Sequence, residues 1–312
     1  MVEIKLYTPE LHDKWNTFVA GCKNSTFLHN RDYMDYHSDR FKDCSLVAYA
    51  KGKIIAVLPA NRVDNTLYSH QGLTYGGWLI PTKHFTIIDM LELFDEMKHF
   101  LSSIGIKELI YKAVPHIYHS YPAEEENYAI YKHNGKLLET NVSTTIPLTH
   151  PFHFNNNYKN LANFAEKSGV EIVESHDYED FWDILGALLQ EKYEVSPVHS
   201  IEEIKLLQSR FPKNIRLFTA IKDNTILAGS VIFDTGIVAH AQYIASTPEG
   251  RKSRALPLLF KHLINQYFKQ NQYFDFGISN EDHGNYLNEG LVMQKCSMGG
   301  RAIVHNIYKL VF

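Results

Sequence analysis

The stretch HAQYIASTPEGRKSRALPLLF, residues His240–Phe260, decides the fold of the second half of the chain. Its first residues are rich in apolar and aromatic side chains and predict a β-strand. Pro248 and Gly250 then indicate a turn. Three of the four residues after Gly250 are cationic, namely Arg251, Lys252 and Arg254.

A helix is predicted directly after this cationic turn, over Ala255–Gln270. Apolar residues recur there at intervals of three and four, the period of a helix with one buried face. Pro257 is tolerated because the first turn of a helix needs no N–H from it. The free N–H groups and the positive dipole end of this helix would point into the turn and favour an anion. A solvated turn with incidental charges is the alternative.

The same order of elements is predicted in both halves of the chain. The first half predicts a hairpin, a strand, a helix and a strand over Ser45–Val63, Leu73–Ile80, Thr86–Ile104 and Lys107–Val114. The second half predicts them over Arg216–Asp234, His240–Ser246, Ala255–Gln270 and Gln272–Ser279. A length of 312 residues suits two domains of about 150 residues each. The loop-like stretch Leu148–Tyr158 favours domains over 1–150 and 151–312, and the C-terminal strand HNIYKLVF could pair into either.

Composition excludes several classes of function. A net charge of -4 argues against DNA binding. The sequence contains no run of 18 apolar residues, so membrane insertion is not expected. Three scattered cysteines and a polar N-terminus favour a reducing, cytoplasmic location. The histidine pairs His116/His119 and His150/His153 lie beside prolines in predicted loops, so no metal site is expected.

The strand, cationic turn and helix resemble the GNAT acyltransferase superfamily. In that family a Q/R-x-x-G-x-G/A loop precedes the helix and binds the pyrophosphate of coenzyme A. Here Arg251 replaces the leading residue, Ser253 stands where the family prefers Gly, and Ala255 matches the last position.

A second stretch, Asp275–Gly300, resembles the terminal motif of the Fem-like branch of that superfamily. Its pieces are Asp275-Phe276-Gly277, Leu287-Asn288-Glu289-Gly290-Leu291, and Lys295 to Gly299 with Met298 in the aromatic position. The resemblance implies an α/β (α+β) fold of two tandem GNAT-like domains, each a mixed, largely antiparallel sheet flanked by helices.

The resemblance implies an acyltransferase that takes an acyl group, acetyl first, from acyl-CoA to an amine or hydroxyl. A cell-envelope, polysaccharide or peptide acceptor is expected to bind the 1–150 domain, and the donor the 151–312 domain. The residues that this implies for the donor are Tyr243, Ile244, Ala245, Gly250, Arg251, Lys252, Ser253, Arg254 and Ala255. Tyr243 could equally be a core residue.

Four side chains are candidates for catalysis. Lys295 matches the family lysine that stabilises developing negative charge, with a plain surface lysine as the alternative. His283 and Tyr286, in the loop after the Asp275 strand, are candidates for proton transfer. Asp275 could be a base, or it could orient another group.

The acceptor is expected to meet residues of the first half. Arg31 and Arg40 could hold a phosphate or carboxylate in bidentate fashion, or lie on a solvated basic helix face. Tyr75 and Trp78, in a Y-G-G pattern of the family, are predicted to flank a groove. The other candidate in this set is His37.

Two other functions stay open. Some Fem-like proteins use aminoacyl-tRNA, but the net charge and the lack of a long coiled-coil pattern do not favour tRNA. A non-catalytic GNAT-like binding module is the second alternative, because Ser253 departs from the family loop.

Overall fold

The computed structural model describes residues 2–312. They form two compact units: unit 1 is Met1–Asn141, Asp282–Asn285 and Val304–Phe312, and unit 2 is Val142–Glu281 and Tyr286–Ile303. The chain therefore passes between units before the loop at Leu148–Tyr158, and its last residues belong to unit 1. The roles predicted for 1–150 as acceptor side and 151–312 as donor side stay predictions.

The α-helices of residues 2–312 are α1 His12–Ala20, α2 Arg31–Met34, α3 Ile87–Ser103, α4 Glu125–Lys132, α5 Asn156–Lys167, α6 Tyr178–Tyr193, α7 Ile201–Arg210, α8 Pro248–Lys252, α9 Ala255–His262 and α10 Glu289–Ser297.

The strands are β1 Val2–Leu6, β2 Leu46–Ala50, β3 Lys53–Leu58, β4 Asn61–Val63, β5 Thr66–Tyr68, β6 Glu108–Lys112, β7 Lys136–Pro147, β8 Glu171–Ser175, β9 Ile215–Lys222, β10 Thr225–Asp234, β11 Val238–Ser246, β12 Tyr273–Ile278, β13 Asn280–Glu281, β14 Tyr286–Leu287 and β15 Arg301–Val311.

Unit 1 contains the antiparallel sheet β1-β2-β3. Strand β5 pairs with β4 in antiparallel fashion and with β6 in parallel, and the end of β15 pairs with β6. Helix α3 buries Met90, Leu93, Phe94, Met97 and Leu101 at intervals of three and four in a core shared with these strands. This face follows from the apolar period of the sequence.

Unit 2 orders its strands β7-β12-β11-β10-β9-β8. Every neighbouring pair is antiparallel except β11 and β12, which run parallel. Helices α5 and α9 pack together, α9 lies on β9 and β10, and α6 lies against β11. The predicted fold class, a mixed sheet flanked by helices, is therefore confirmed.

Two sequence-predicted elements differ in the structure. Leu73–Ile80 is not a strand: only Leu79 forms a β-bridge, to Val57, because Gly76 and Gly77 turn the chain there. The helix predicted over Ala255–Gln270 is α-helical only to His262 and continues as a π-helical turn, Leu263–Tyr267. The hairpins of both halves, helix α3 and strands β6, β11 and β12 are confirmed.

Candidate functional site

The two parallel strands of unit 2 separate after three residue pairs. Val238, Ala239 and His240 pair with Tyr273, Phe274 and Asp275, and the pairing ends there. Beyond this point, the edge of Gln242–Ser246 that faces away from β10 has no strand partner within residues 2–312. The strands thus form a fork whose open backbone groups can hydrogen-bond a ligand.

Bulges on both strands explain the fork. On β11, Gln242 is an extra residue, since Tyr243 pairs with Val231 and Ala241 pairs with Ile232. On β12, the register against β7 shifts between Asp275 and Ile278, where Gly277 has φ +75. A bulge bends its strand and increases the local twist, so two of them at one level drive the strands apart.

A pocket of about 550 Å³ lies beside the open part of β11. Its walls come from the first turn of α5, the end of β11, the segment from α8 to the start of α9, and one face of α10. Its lining residues are Asn155, Asn157, Tyr158, Leu161, Ser246, Gly250, Arg251, Arg254, Leu256, Pro257, Gly290, Met293, Gln294 and Ser297. We call it the donor pocket, after the role predicted for the cationic turn.

The cationic turn is more structured than a loop. Gly250 and Arg251 lie in the short helix α8, whose cap is Thr247: its hydroxyl accepts the Gly250 N–H at 2.9 Å. Gly250 is buried against β10, and an added Cβ would lie 1.9 Å from the Leu227 carbonyl oxygen. The N–H of Gly250 therefore serves the fold and is not free for a ligand.

Two of the three predicted cations reach the donor pocket. Arg251 lines it, while its Nη1 donates to the Ser246 carbonyl at 3.3 Å. Arg254 also lines it, from the N-cap position of α9. Lys252 is 76% exposed, lies 3.6 Å from Glu249 and is not among the lining residues.

The position that takes a left-handed conformation is Arg254, with φ 60, and not Ser253. Ser253 has an ordinary right-handed backbone and donates its hydroxyl to the Gly250 carbonyl. Serine at this position, where the family prefers glycine, therefore causes no backbone strain. Ala255 is the first residue of α9 and is buried in the core.

Helix α9 has no side-chain cap on its N-terminus and no acidic residue in its first turn. The N–H groups of Ala255 and Leu256 therefore lack an intrahelical partner, and Pro257 has none to satisfy. Of this segment, Arg251, Arg254, Leu256 and Pro257 line the donor pocket, so the cations and the positive end of α9 form a positive end wall.

Tyr158 is a lining residue that the sequence analysis missed. It is 6% exposed, and its buried hydroxyl has no hydrogen-bond partner within the described chain. Burial raises its pKa above the usual value for tyrosine. A buried hydroxyl without a partner at the wall of a pocket is a donor available to a ligand.

The paired end of the fork holds a histidine and an aspartate side by side. Asp275 is completely buried, and its Oδ1 accepts the hydroxyls of Ser143 at 2.6 Å and Thr145 at 2.7 Å. Its Oδ2 lies 2.7 Å from Nδ1 of His240, whose side chain is 13% exposed. Asp275 was predicted as a base or an orienting group, whereas His240 was missed. The pairing of His240 with Asp275 in the register of β11 and β12 is the feature that would have identified His240 as a candidate.

Lys295 is buried rather than on the surface, which excludes the alternative of a plain surface lysine. Its ammonium donates to the carbonyls of Gly277 at 2.7 Å and Ile278 at 2.8 Å and to the Ser279 hydroxyl at 2.9 Å. Burial lowers its pKa to about 8, against the opposing effect of Asp275. All three donors of the ammonium are thus used to hold the diverging part of β12.

The other residues predicted for donor binding and catalysis each have different contacts. Tyr243 is buried on β11, with its hydroxyl 2.5 Å from His199 Nδ1, as the core alternative predicted. Ile244 and Ala245 follow it on the open stretch of β11. Tyr286 is 57% exposed on β14. His283, which clusters with unit 1, is 89% exposed and 3.7 Å from Glu139.

The candidates of unit 1 are mostly core residues. Arg31 is 1% exposed, paired with Asp35 and Asp43 and stacked on Tyr7 at 3.4 Å, so its guanidinium lies inside unit 1 and not on a solvated helix face. Trp78 is completely buried, which contradicts its predicted place beside a groove.

The same holds for two further candidates, since Tyr75 is 2% exposed and His37 is buried and stacked on His70. Arg40 is exposed, with its guanidinium 5.5 Å over Tyr36.

Two further observations concern possible metal ligands and membrane-spanning helices. Within residues 2–312, no group of three or more His, Cys, Asp or Glu side chains is arranged to hold a metal ion. Among the same residues, no helix has both the length and the apolar character needed to cross a bilayer.

Comparison with known proteins identifies the domain. Residues 153–285 match the family described as "Acetyltransferase (GNAT) domain". Comparison with curated protein sequences finds no match.

Several solved structures share the fold over almost the whole chain. FemX has a TM-score of 0.68 at 11% identity, with 99% of this chain and 97% of that chain covered. L-PGS from Bacillus licheniformis has a TM-score of 0.62 at 12% identity, covering 98% and 92%. A tandem GNAT protein from the clavulanic acid biosynthesis pathway has 0.53 at 11%, covering 100% and 98%. Residues 153–285 thus match a GNAT domain, the chain shares its fold with FemX and with a tandem GNAT protein, and the predicted resemblance is confirmed.

Proposed function

We propose that this GNAT-domain protein is an acyltransferase that takes its acyl group, acetyl first, from acyl-CoA. The acceptor is an amine or hydroxyl of a cell-envelope, polysaccharide or peptide molecule, which attacks the thioester directly. The observation that carries the proposal is the donor pocket, which joins the positive N-terminus of α9 to the unpaired edge of β11.

The dimensions and chemistry of this site suit coenzyme A. Arg251, Arg254 and the first N–H groups of α9 supply the charge and the donors that a pyrophosphate needs. From Ser246 at the pocket to His240 at the fork, β11 rises by about 20 Å, at roughly 3.3 Å per residue. An extended pantetheine arm has a comparable length, and its two amides can pair with the open strand edge. The Tyr158 hydroxyl offers one further donor.

Binding of the donor can be tested before any acceptor is known. We expect acetyl-CoA and free CoA to raise the melting temperature of the protein, because a ligand at about 100 times its Kd adds roughly 2.7 kcal/mol of stability. The double variant Arg251→Ala/Arg254→Ala should lose most of this shift. A titration by calorimetry measures the same affinities directly.

The matched control is Lys213→Ala/Lys269→Ala, which removes two exposed cations of unit 2 outside the pocket. It should bind CoA like the unmodified protein. Bulk aminoacyl-tRNA forms a third arm of the assay. Stabilisation by tRNA alone would replace the proposed donor by an aminoacyl-tRNA. No stabilisation by any of the three would favour a non-catalytic binding module and overturn the proposal.

A further inference from the structure

We propose that His240, held by Asp275, accepts the proton of the acceptor nucleophile at the fork of β11 and β12. The inference rests on the proposed acyl transfer, but it concerns a residue that neither the family motifs nor the sequence-predicted site includes. It is carried by the geometry of the fork, where the pairing of the two strands ends at this very residue pair.

The hydrogen bonds of Asp275 determine which nitrogen of His240 carries the proton. Oδ1 of Asp275 accepts two hydroxyls, from Ser143 and Thr145, and Oδ2 faces Nδ1 of His240 at 2.7 Å. An ionised carboxylate can only accept, so Nδ1 of His240, which faces Oδ2, bears the proton. Nε2 then keeps its lone pair, and no partner for it occurs within residues 2–312. This is the tautomer that a general base requires.

Gly277 of the diverging strand lies beside the ring of His240. An added Cβ at Gly277 would lie 3.4 Å from His240 Cε1. Gly277 also has φ +75, a conformation that favours glycine. The glycine therefore permits the bulge of β12 beside His240.

The charged and titratable groups that face His240 are few. Asp275 lies beside it on β12, β7 contributes the uncharged Ser143 and Thr145, and β10 pairs Phe233 with it. From α10, Lys295 interacts electrostatically with Asp275. Asp275 is thus a positioning residue that also stabilises the imidazolium, and Lys295 is a positioning residue of the β12 backbone.

The predicted alternatives are less suited to proton transfer at this point. All three donors of Lys295 are bound to the β12 segment. His283 is 89% exposed and Tyr286 is 57% exposed, so solvent surrounds both side chains. His240 combines a fixed tautomer, partial burial and a place at the fork.

The proposed step balances as follows. His240 Nε2 takes the proton from the hydroxyl or neutral amine of the acceptor while the acceptor oxygen or nitrogen bonds to the thioester carbonyl carbon. The carbon–sulfur bond then breaks, the sulfur leaves with the bonding electrons, and the imidazolium returns the proton to it. The products are the acylated acceptor and a free thiol, with no net change in protons on His240.

Two measurements test the proposal, with acetyl-CoA as the probe. The first is the tautomer: a two-bond ¹H–¹⁵N spectrum of ¹⁵N-histidine-labelled protein, assigned by His240→Gln, should show a proton on Nδ1 and none on Nε2 above the pH of ring protonation. The second is the release of free thiol from acetyl-CoA with water or hydroxylamine as acceptor. His240→Gln should slow release by about 10²- to 10⁴-fold, the usual range for a general base.

The variants separate this proposal from the donor proposal. His240→Gln should keep the acetyl-CoA affinity of the unmodified protein but lose the rise of kcat/KM with pH that titration of a base produces. His176→Gln, at an exposed histidine of unit 2, should match the unmodified protein in rate and pH profile. Asp275→Asn places an amide donor beside Nδ1 and should shift the ring proton to Nε2.

The outcomes that overturn the proposal are distinct. A proton on Nε2 in the unmodified protein would remove the base. So would His240→Gln with undiminished thiol release, or an unmodified protein that binds acetyl-CoA yet releases thiol no faster than His240→Gln. If acetyl-CoA does not bind at all, the donor proposal fails instead, while the tautomer measurement still decides whether His240 is poised as a base. Since Asp275→Asn could fail to fold, the decision rests on His240→Gln.

Discussion

The N-termini of α3 in unit 1 and α9 in unit 2 occupy the same place in the order of elements but differ in charge. In α3 the Asp89 carboxylate accepts the N–H and the hydroxyl of Thr86, both at 2.7 Å. In α9 the corresponding cap is Arg254, with no side-chain cap and no acid in the first turn. One terminus is satisfied by the protein's own anion, and the other is left for an anion from outside.

The segments before these helices differ in the same sense. In unit 1, Tyr75 and Trp78 fill the interior, and the Tyr111 hydroxyl accepts the Trp78 N–H at 2.6 Å. In unit 2, β11 keeps an unpaired edge beside a pocket of about 550 Å³. The same order of elements therefore gives a closed core in unit 1 and an open site in unit 2. The two differ in the volume of the side chains before the helix and in the cap at the N-terminus of the helix.

The largest expected effect comes from adding a side chain at Gly250 of α8, which packs closely against β10. Gly250→Val should lower the free energy of unfolding by about 3 kcal/mol or more, because its Cβ would meet the Leu227 carbonyl oxygen and α8 would have to move. Thermal and urea unfolding measure this loss. The control is Gly186→Ala in α6, where an added Cβ meets nothing within 4 Å. It should stabilise the helix by about 0.5–1 kcal/mol. Equal melting temperatures for both variants would contradict the packing described for α8.

The next effect tests the difference between the two helix caps directly. Arg254→Asp gives the N-terminus of α9 an acidic residue, as α3 has. Arg254 has a left-handed backbone, with φ 60, and aspartate tolerates this conformation. We expect CoA affinity to fall by about 10- to 100-fold, because a charge-assisted contact is lost and a like charge is added. Calorimetry with free CoA measures it.

Arg254→Asn separates the two contributions, since it removes the cation without adding an acid. It should weaken CoA binding less than Arg254→Asp does. If both variants bind CoA as tightly as the unmodified protein, the positive end wall of the pocket plays no part in binding.

A third prediction concerns the closed core of unit 1. Burial raises the pKa of Glu126 from 4.5 to about 8, and the Tyr111 hydroxyl donates to its Oε2. The unfolded chain releases this proton above about pH 4.5, whereas the folded protein keeps it to about pH 8. Stability should therefore fall as the pH rises between these values, by up to about 1.4 kcal/mol per pH unit.

Melting temperatures from pH 5 to pH 8 measure this slope. Glu126→Gln should flatten it, because the amide does not titrate. Glu124→Gln, at the exposed neighbour, should leave it unchanged. A slope that survives in Glu126→Gln would place the responsible group elsewhere.

The smallest effect completes the comparison of the caps. Thr86→Ala removes one side of the capping box of α3 and should cost about 1 kcal/mol, a shift of about 2 °C in melting temperature. CoA binding should stay unchanged, since α3 belongs to unit 1 and the donor pocket to unit 2. A loss of CoA affinity would show that the two helix termini are not independent.

The sequence by itself determined the elements that depend on local pattern. The period of apolar residues predicts α3 and α9, and the β-rich runs on either side of Gly52 and Asp223-Asn224 predict the hairpins of β2/β3 and β9/β10. The cationic turn can be recognised in the amino-acid sequence, and so can the stretch from Asp275 that resembles the Fem-like motif. These features need only the neighbours of each residue along the chain.

Only the tertiary structure decided what those residues contact. It put Lys295 in contact with the β12 backbone, enclosed Arg31 and Trp78 in a core, and gave Arg254 a left-handed backbone. It also brought His240 and Asp275 together across 35 residues of chain. The physical reason is that burial and hydrogen bonding depend on contacts between distant segments, whereas the period of a helix or strand does not.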